Sequence, residues 1–500
     1  MPPSLLDWVP DDHLVWTILG AVDELDLSAF YADYRADGHG RPAYDPAMMV
    51  ALLLYAYATG NRSSRGIERK CREDVAYRVI CANLVPDHST IAEFRCRHEA
   101  ALAQLFTSVL SLCGRAGLVT VGVIAIDGTK VAANASRDAN ASYERVVAEI
   151  LSEAEETDRR EDELYGEARG DELPERLRTR EGRRAAFREA KRTLDAEREA
   201  QGDGGRARDD EPIVALDLDR ERLVNSEQGR RGWLREGRRQ LDELRRRQAR
   251  PIARSRSERL HQAKRRLEEE HRVELESNAA YEAYRARGVM KDGRRFGRPA
   301  DPHTPPAQPT GTINITDHDS RIMRTHGQPP KQGYNAQAAV NENQIIVAAE
   351  ITVDSPDFGH LESMVDATLS ELEKAGVRRS PEAIVADPGY WHKQQMENVV
   401  SHGIPVLIPP DSGVREGTRP GWNKGLYAFM RRVLASERGQ AIYRRRMATV
   451  EPVFGQTKFN RRFDRFQRRG RSAVRSEWRL AAATHNLVKL HSHRIAVARA

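Results

Sequence analysis

Three acidic residues, each in a different local setting, are of the type and placement that metal-assisted phosphoryl transfer needs. Asp127 closes the apolar run Val121–Ile126 in VGVIAIDGTK, and Asp387 follows Ala383–Ala386 in EAIVADPGYW. Glu451 lies in the basic stretch YRRRMATVEPVFGQTK. The spacing puts Asp127 and Asp387 each at the C-terminal end of a strand, the edge where open α/β sheets hold ligands. On neighbouring strands they would converge and share a hard cation. Mg²⁺ takes oxygen ligands and keeps several waters, so two or three carboxylates and a substrate phosphate suffice. A pair of such ions activates the attacking oxygen and stabilises the leaving one. Asp before Gly or Pro is also ordinary turn chemistry.

Residues seven apart lie nearly on one helix face, so Arg444, Glu451 and Lys458 are expected to line one groove. Pro452 is expected to kink or begin a helix there. A lone Glu among arginines is also a common surface ion pair, worth little. Residues 431–480 hold 15 Arg or Lys against four Asp or Glu, a local net charge of +11. That excess suits a phosphate backbone. Phe454, Phe459, Phe463 and Phe466 lie among these charges, spaced for core packing or for stacking on unpaired bases.

At 500 residues the chain is too long for one compact core, and two or three domains are expected. Residues 141–290 carry 36 acidic and 35 basic residues, which predicts a solvated helical body. The four cysteines form no CxxC pair, as in a reduced cytosolic protein. The start MPPSLLDW lacks the pattern of a signal peptide. The longest apolar run, Met48–Ala58, is shorter than the roughly 20 residues of a membrane span. A soluble, cytoplasmic protein with no membrane partner is expected.

The elements that must position the acids follow from pattern. Residues 1–115 read as helical, with Asp45-Pro46 and Asn61–Ser64 as helix starts and Thr90–Glu93 as a capping box. Such short helices suit a helix-turn-helix-like DNA reader or a plain packing module. From Leu118 the pattern turns to β, with a hairpin turn expected at Asp127–Thr129. Helix returns over 141–290, interrupted at Gly202–Gly205 and Glu211-Pro212, and disorder is one reading of its middle. A Pro- and Gly-rich linker spans Gly293–Pro309. Strands at Gly333–Val340 and Gln344–Thr352, joined at Asn341–Asn343, read as a hairpin. A helix at Gly359–Gly376, a strand at Ala383–Asp387, a helix at Lys393–His402 and a strand at Pro405–Ile408 come next. This mixed α/β order closes into one sheet only if residues 141–309 are an insertion after the first strand.

Competing chemistries lack their motifs. There is no GxxxxGK[ST] phosphate loop and no HExxH, and His485, His491 and His493 read as helix-surface or core residues.

With DGTKVAANAS, INITDHDSRIMRT, QGYNAQAAVNENQIIVAAEIT, VADPGYW and VEPVFGQTKF in this order, the chain resembles the DDE transposases of bacterial insertion sequences. It is most similar to the IS1182 type, within the wider IS4 and IS5 assemblage. The resemblance covers most of residues 20–140 and 310–490. It implies an RNase H-like mixed-sheet catalytic core over 116–140 plus 310–490. A helical N-terminal DNA-binding domain over 1–115 and a charged helical insertion over 141–309 complete the expected organisation. Asp127 is then on the first strand, Asp387 after the fourth and Glu451 on a later helix, together holding Mg²⁺ or Mn²⁺, two ions in all. Tyr443, Arg446 and Lys458 match the positions that handle DNA phosphates, with Arg444 or Arg445 as alternatives to Arg446. The implied partners are double-stranded DNA, as terminal inverted repeats and target, and a second copy in a synaptic homodimer. A non-catalytic DNA-binding regulator derived from such an element is the alternative, and a nuclease without strand transfer a third.

Overall fold

The computed structural model of the chain describes residues 5–34, 43–165, 218–226, 229–248, 250–297, 303–325, 327–411 and 424–499. Contacts divide the chain into two compact units: residues 1–140, 249–252 and 316–500, and residues 141–248 with 253–315.

The first unit is built on a six-stranded mixed sheet of β1 (Val123–Ala132), β2 (Arg321–Met323), β3 (Lys331–Val340), β4 (Ile346–Thr352), β5 (Ala383–Ala386) and β6 (Val406–Leu407). Both β2 and β4 pair with β3, which is followed across the sheet by β1, β5 and β6. The pairs with β3 are antiparallel, whereas β1–β5 and β5–β6 are parallel. The chain is thus mixed α/β, with the sheet closing over sequence-distant strands. Ala383–Ala386 is buried throughout, as a strand paired on both sides and covered on both faces must be. The β3–β4 hairpin forms where its sequence places it, and Asn341 Oδ1 ties the turn by accepting from Asn343 N at 3.1 Å and Ile345 N at 2.9 Å.

The hairpin expected at Asp127–Thr129 does not form. β1 runs on to Ala132, and Asp127, Gly128 and Thr129 lie opposite Ala338, Gln337 and Ala336 of β3. Asp-Gly makes a turn only when nothing longer competes. Here eight consecutive register pairs from Ala125 to Ala132 hold the backbone extended. Asp127 is therefore mid-strand, not at a strand end.

Helices α1 (Leu14–Glu24), α2 (Pro46–Ala58), α3 (Ser64–Glu73), α4 (Val75–Ile80), α5 (His88–Arg97) and α6 (Glu99–Arg115) precede β1. Asp45 and Ser63 cap α2 and α3 by accepting from Ala47 N and Gly66 N. The capping box placed at Thr90 gives way to Asp87, which accepts from the Thr90 backbone N–H at 2.9 Å and starts α5 three residues earlier. Among the described residues, α7 (Tyr143–Tyr165), α8 (Arg220–Asn225), α9 (Arg230–Arg247) and α10 (Arg256–Ala286) belong to the second unit. The last five are α11 (Leu361–Lys374), α12 (Lys393–Ser401), α13 (Gly425–Ala435), α14 (Glu437–Gly455) and α15 (Arg471–Arg499).

One continuous apolar core joins α1–α6, the sheet and α15. α15 packs on α6, α2 and β4 and buries Trp478 and Leu480 to Leu487. Its Asn486 accepts from Ile346 N and donates to Ile346 O, at 2.9 and 2.8 Å. His485 is fully buried between Arg461 Nη1 at 3.0 Å and Gln344 O at 2.8 Å, and burial pushes its pKa down to about 3. It is a core residue.

In the second unit α10 packs against α7 and α9. Two small apolar clusters form there, one around Leu260, Leu267 and Ile313 and one around Leu223, Trp233 and Tyr281. Charge pairs do the rest: Arg245 meets Glu269 and Glu270 at 2.9 and 3.0 Å, and Arg222 meets Glu236 and Glu243 at 2.8 and 2.9 Å. The interruptions expected at Gly202–Gly205 and Glu211-Pro212 lie outside the described residues, as does the disorder expected there. No described helix is long and apolar enough to cross a membrane.

Candidate active site

The site lies where the sheet leaves β1 uncovered. β5 ends at Ala386, opposite Ile126, so beyond that point β1 has no strand on this side. Chain from beyond α14 fills the vacated edge. Lys458 Nζ donates to Lys130 O at 3.4 Å, Ala132 N to Asp464 O at 3.1 Å, and Phe466 N to Ala132 O at 2.8 Å. Asp127 stands at the start of this gap. Asp387, the first residue past β5, borders it and also caps the turn Pro388–Tyr390 through Gly389 N at 2.9 Å.

α14 brings the third acid. It does not begin at Pro452 but runs through it. Proline has no N–H for the carbonyl of Ala448 four residues back, and Gln344 Nε2 supplies the missing donor at 2.9 Å. A π-helical turn, Gln456–Asn460, then shifts the phase before Lys458. Arg446 reaches from α14 to Asp127 Oδ2 at 2.7 Å and stands 3.6 Å from Glu451 Oε1. Arg444, about 200° around the helix from Arg446 at 3.6 residues per turn, is exposed and donates to Gln440 at 3.4 Å. The groove expected from Arg444, Glu451 and Lys458 on one face is thus replaced by Arg446 with Glu451. Arg445 pairs with Glu342.

Electrostatics mark the same place. Burial pushes the Asp127 carboxyl up to about 6, against the pull of Arg446, and the charges of Asp387 and Asp357 add to the rise. Burial and then Asp357 raise Asp387, with Arg446 and Lys130 opposing. Burial also raises the Tyr443 hydroxyl, and Asp387, Asp127 and Glu451 push the same way. Glu451 is half exposed, its side chain 52% accessible. Asp127, Asp387, Glu451, Tyr443 and Arg446 thus meet in one place, Lys458 lies along the β1 edge, and Arg444 stays outside.

One further carboxylate was not singled out from the sequence. Asp357 receives Lys130 Nζ at 3.0 Å, Asn335 Nδ2 at 2.8 Å and Gln337 Nε2 at 2.7 Å. Gln337 also accepts from the buried Tyr390 hydroxyl. Asn335 and Gln337 lie opposite Lys130 and Gly128 in the β1–β3 register, so all of them share one face. The available signal was SPDFG directly after a strand, an acid in the loop position where ligands gather. Gly128 keeps this arrangement possible. A Cβ there would overlap Asp357 Oδ1 and Gln337 Nε2 and lie 2.7 Å from Asn335 Oδ1. Gly128→Ala should cost about 1–3 kcal/mol through overpacking, read as a lower denaturation midpoint. Unchanged stability would show that these side chains repack freely.

Among the four phenylalanines, Phe463 and Phe466 are buried and packed edge to face at 5.4 Å, and Phe454 is partly buried. Phe459, beside Lys458, is 82% exposed. No group of three or more His, Cys, Asp or Glu side chains among the described residues is spaced to hold a metal ion. The cation between Asp127 and Glu451 is the Arg446 guanidinium.

Two family profiles match the chain: a Transposase domain (DUF772) over residues 3–97 and a Transposase DDE domain over residues 414–491. Together they support a DDE transposase of the insertion-sequence type, and their pairing is consistent with the IS1182 group. No curated protein and no solved structure matches the chain.

Proposed function

With the insertion-sequence DDE transposase type as premise, we propose that this chain binds the inverted-repeat ends of a mobile element and cuts and joins DNA there. The observation that carries the reading is convergence: acids from β1, the end of β5 and α14 reach one gap in the sheet. Setting aside the three-residue β2, Asp387 follows the fourth strand in chain order and Glu451 lies on a later helix. That order supports the RNase H-like core expected over 116–140 plus 310–490. In the same reading residues 1–115 form the DNA-binding domain, residues 141–309 the insertion, and two chains a synaptic homodimer.

The donor set fits Mg²⁺ or Mn²⁺ in chemistry, being carboxylate oxygens. Two of the three carboxyls are raised, by burial first and then by neighbouring carboxylates, and a divalent cation would relieve that cost. Asp127, Asp387 and Glu451 are the residues that would hold it, in the place where the Arg446 guanidinium pairs with Asp127. Bound there, the metal would supply charge neutralisation and an acidified water at the phosphorus. The chain's own residues do the positioning. Arg446, Tyr443 and Lys458 bind and orient the phosphate backbone, and Lys130 keeps Asp357 charge-paired beside the reacting groups.

The test is to incubate the protein with labelled element ends and Mg²⁺ and map the products. Nicks at the element boundary followed by joining to target DNA are expected. Binding without any nick would instead make the chain a non-catalytic regulator. Nicking without joining when target is supplied would make it a nuclease.

A further inference from the structure

A cavity of about 440 Å³ lies in the first unit between the start of α3 and the segment that fills the β1 edge. Arg62, Arg65, Arg69 and Arg462 line it together with Asn61 and Gln467, and no acidic side chain is among its lining. Its walls are fixed, although they lie about 400 residues apart in sequence. Arg62, its side chain 6% accessible, donates to Arg465 O at 2.6 Å and Arg462 O at 2.7 Å, and lies 4.3 Å from the Phe463 ring centroid. The fully buried Glu477 carboxylate meets Arg62 at 3.3 Å and accepts from Gln467 N at 2.9 Å and Arg468 N at 3.1 Å. Arg462 is held in the left-handed region at φ +52°, a conformation that persists in a non-glycine residue only where its surroundings impose it.

The charges at the mouth are left over. Arg62 is matched by Glu477, and Arg69 meets Glu73 only at 3.8 Å on the surface. Arg65 and Arg462 are exposed, and neither has a carboxylate partner among the described residues. Solvated arginines are ordinary on a surface. Several converging on one rigid concavity present forked donors that suit phosphate oxygens.

Position gives the pocket its meaning. The segment carrying Arg462 and Gln467 runs beside Ala132, five residues along β1 from Asp127. At about 3.3 Å per residue that is roughly 17 Å, or about five base pairs of duplex at 3.4 Å each. Lys458 lies on the way, touching the β1 edge at Lys130 O.

We propose that this arginine-lined cavity is a DNA phosphate site, seating the backbone about five base pairs from the position that Asp127 and Asp387 act on. The distance rests on the function proposed above, whereas the anion pocket does not. The bound strand runs from the carboxylates past Lys458 to Arg65 and Arg462.

The test uses the full chain, a labelled 40-base-pair element-end duplex, Ca²⁺ and a KCl series in fluorescence anisotropy. Arg65→Gln/Arg462→Gln should reduce the log–log salt slope by roughly two, since each lost phosphate contact removes about 0.9, and weaken binding ~10–100-fold at low salt. Arg65→Lys should restore part of the slope. An unchanged slope in a variant that melts like wild type overturns the proposal. Ethylating single phosphates on the duplex tests wild type independently of any variant. Interference about five base pairs from the cleavage point is expected, and none within ten overturns the placement. Inorganic phosphate, added at constant ionic strength, separates the two sources of the ligand. Competition only at tens of millimolar fits a backbone site, and displacement at micromolar levels makes the pocket a free-anion site and overturns the DNA assignment. Failure of the catalytic reading would appear separately, as a normal slope change without nicking in Mg²⁺.

Discussion

Asp387→Ala and Asp127→Ala should each lower metal-dependent end cleavage by on the order of 10³-fold or more while leaving end binding nearly unchanged. The two effects separate because the residues do different work. Affinity for a polyanion comes from neutralised phosphates, and the basic excess over residues 431–480 survives either change. Removing a carboxylate next to Arg446 frees a cation, so binding should hold or tighten slightly. Cleavage needs charge of the opposite kind, concentrated where a cation must sit. Asp127 and Asp387 are the two raised acids at the gap, and Glu451 is half exposed. Glu451→Ala should therefore impair cleavage less than either Asp change, since a water can partly replace an exposed ligand. Glu373→Ala, which removes an exposed acid on α11, is the control for charge alone. Gel-resolved cleavage of end-labelled DNA checks the series, and full activity in either Asp variant sinks the assignment.

Two acids of the candidate site, Asp127 and Asp387, were legible because they follow apolar runs that can only be strands. Ala383–Ala386 is too short and too buried for anything else, and the β3–β4 hairpin announced itself in Asn341–Asn343. What failed was local chemistry overridden at a distance. Asp127-Gly128 reads as a turn until eight residues of β3, some 200 positions later in the chain, pair with it. Pro452 reads as a helix break until Gln344 satisfies the carbonyl it orphans. Thr90 reads as a cap although Asp87 is the better acceptor. Asp357 was invisible for a different reason. Its role depends on Lys130, Asn335 and Gln337 lying on one sheet face, and that register cannot be read from spacing in any one segment. Arg446 shows the same limit on a helix, where the face that matters is set by which residue meets Asp127 and not by the heptad.

Asp127→Asn should make the metal-free protein more stable at pH 7, by about 1–3 kcal/mol, while abolishing cleavage. The ordinary carboxyl value is 3.8 and the folded value about 6, with burial the largest cause. Each unit of difference is about 1.4 kcal/mol between protonation states. The folded state binds the proton more tightly than the unfolded chain, so between pH 4 and 6 it carries more protons. Stability from this group therefore rises as pH falls through 6 and levels off below 4. At pH 7 wild type bears the full cost of a buried carboxylate, which the neutral amide avoids. Gly128 N and Arg446 Nη2 donate to different Asp127 oxygens. Asn keeps an acceptor for only one of them, which offsets part of the gain and sets the low end of the range, and the attraction of Arg446 is already contained in the value near 6. Asp387 gives a slope of the same sign in both proteins, so the difference between them isolates Asp127. Denaturant midpoints from pH 4 to 8 should show the variant's advantage vanishing near pH 4 and fully present by pH 7. A variant less stable than wild type at pH 7, or a gap independent of pH, would show that Asp127 is stabilised in place. Excess Mg²⁺ should then narrow the gap at pH 7, because a ligand that binds only the folded wild type stabilises it by mass action. The strain that makes Asp127 costly without a cation is, on this argument, the affinity with which it takes one.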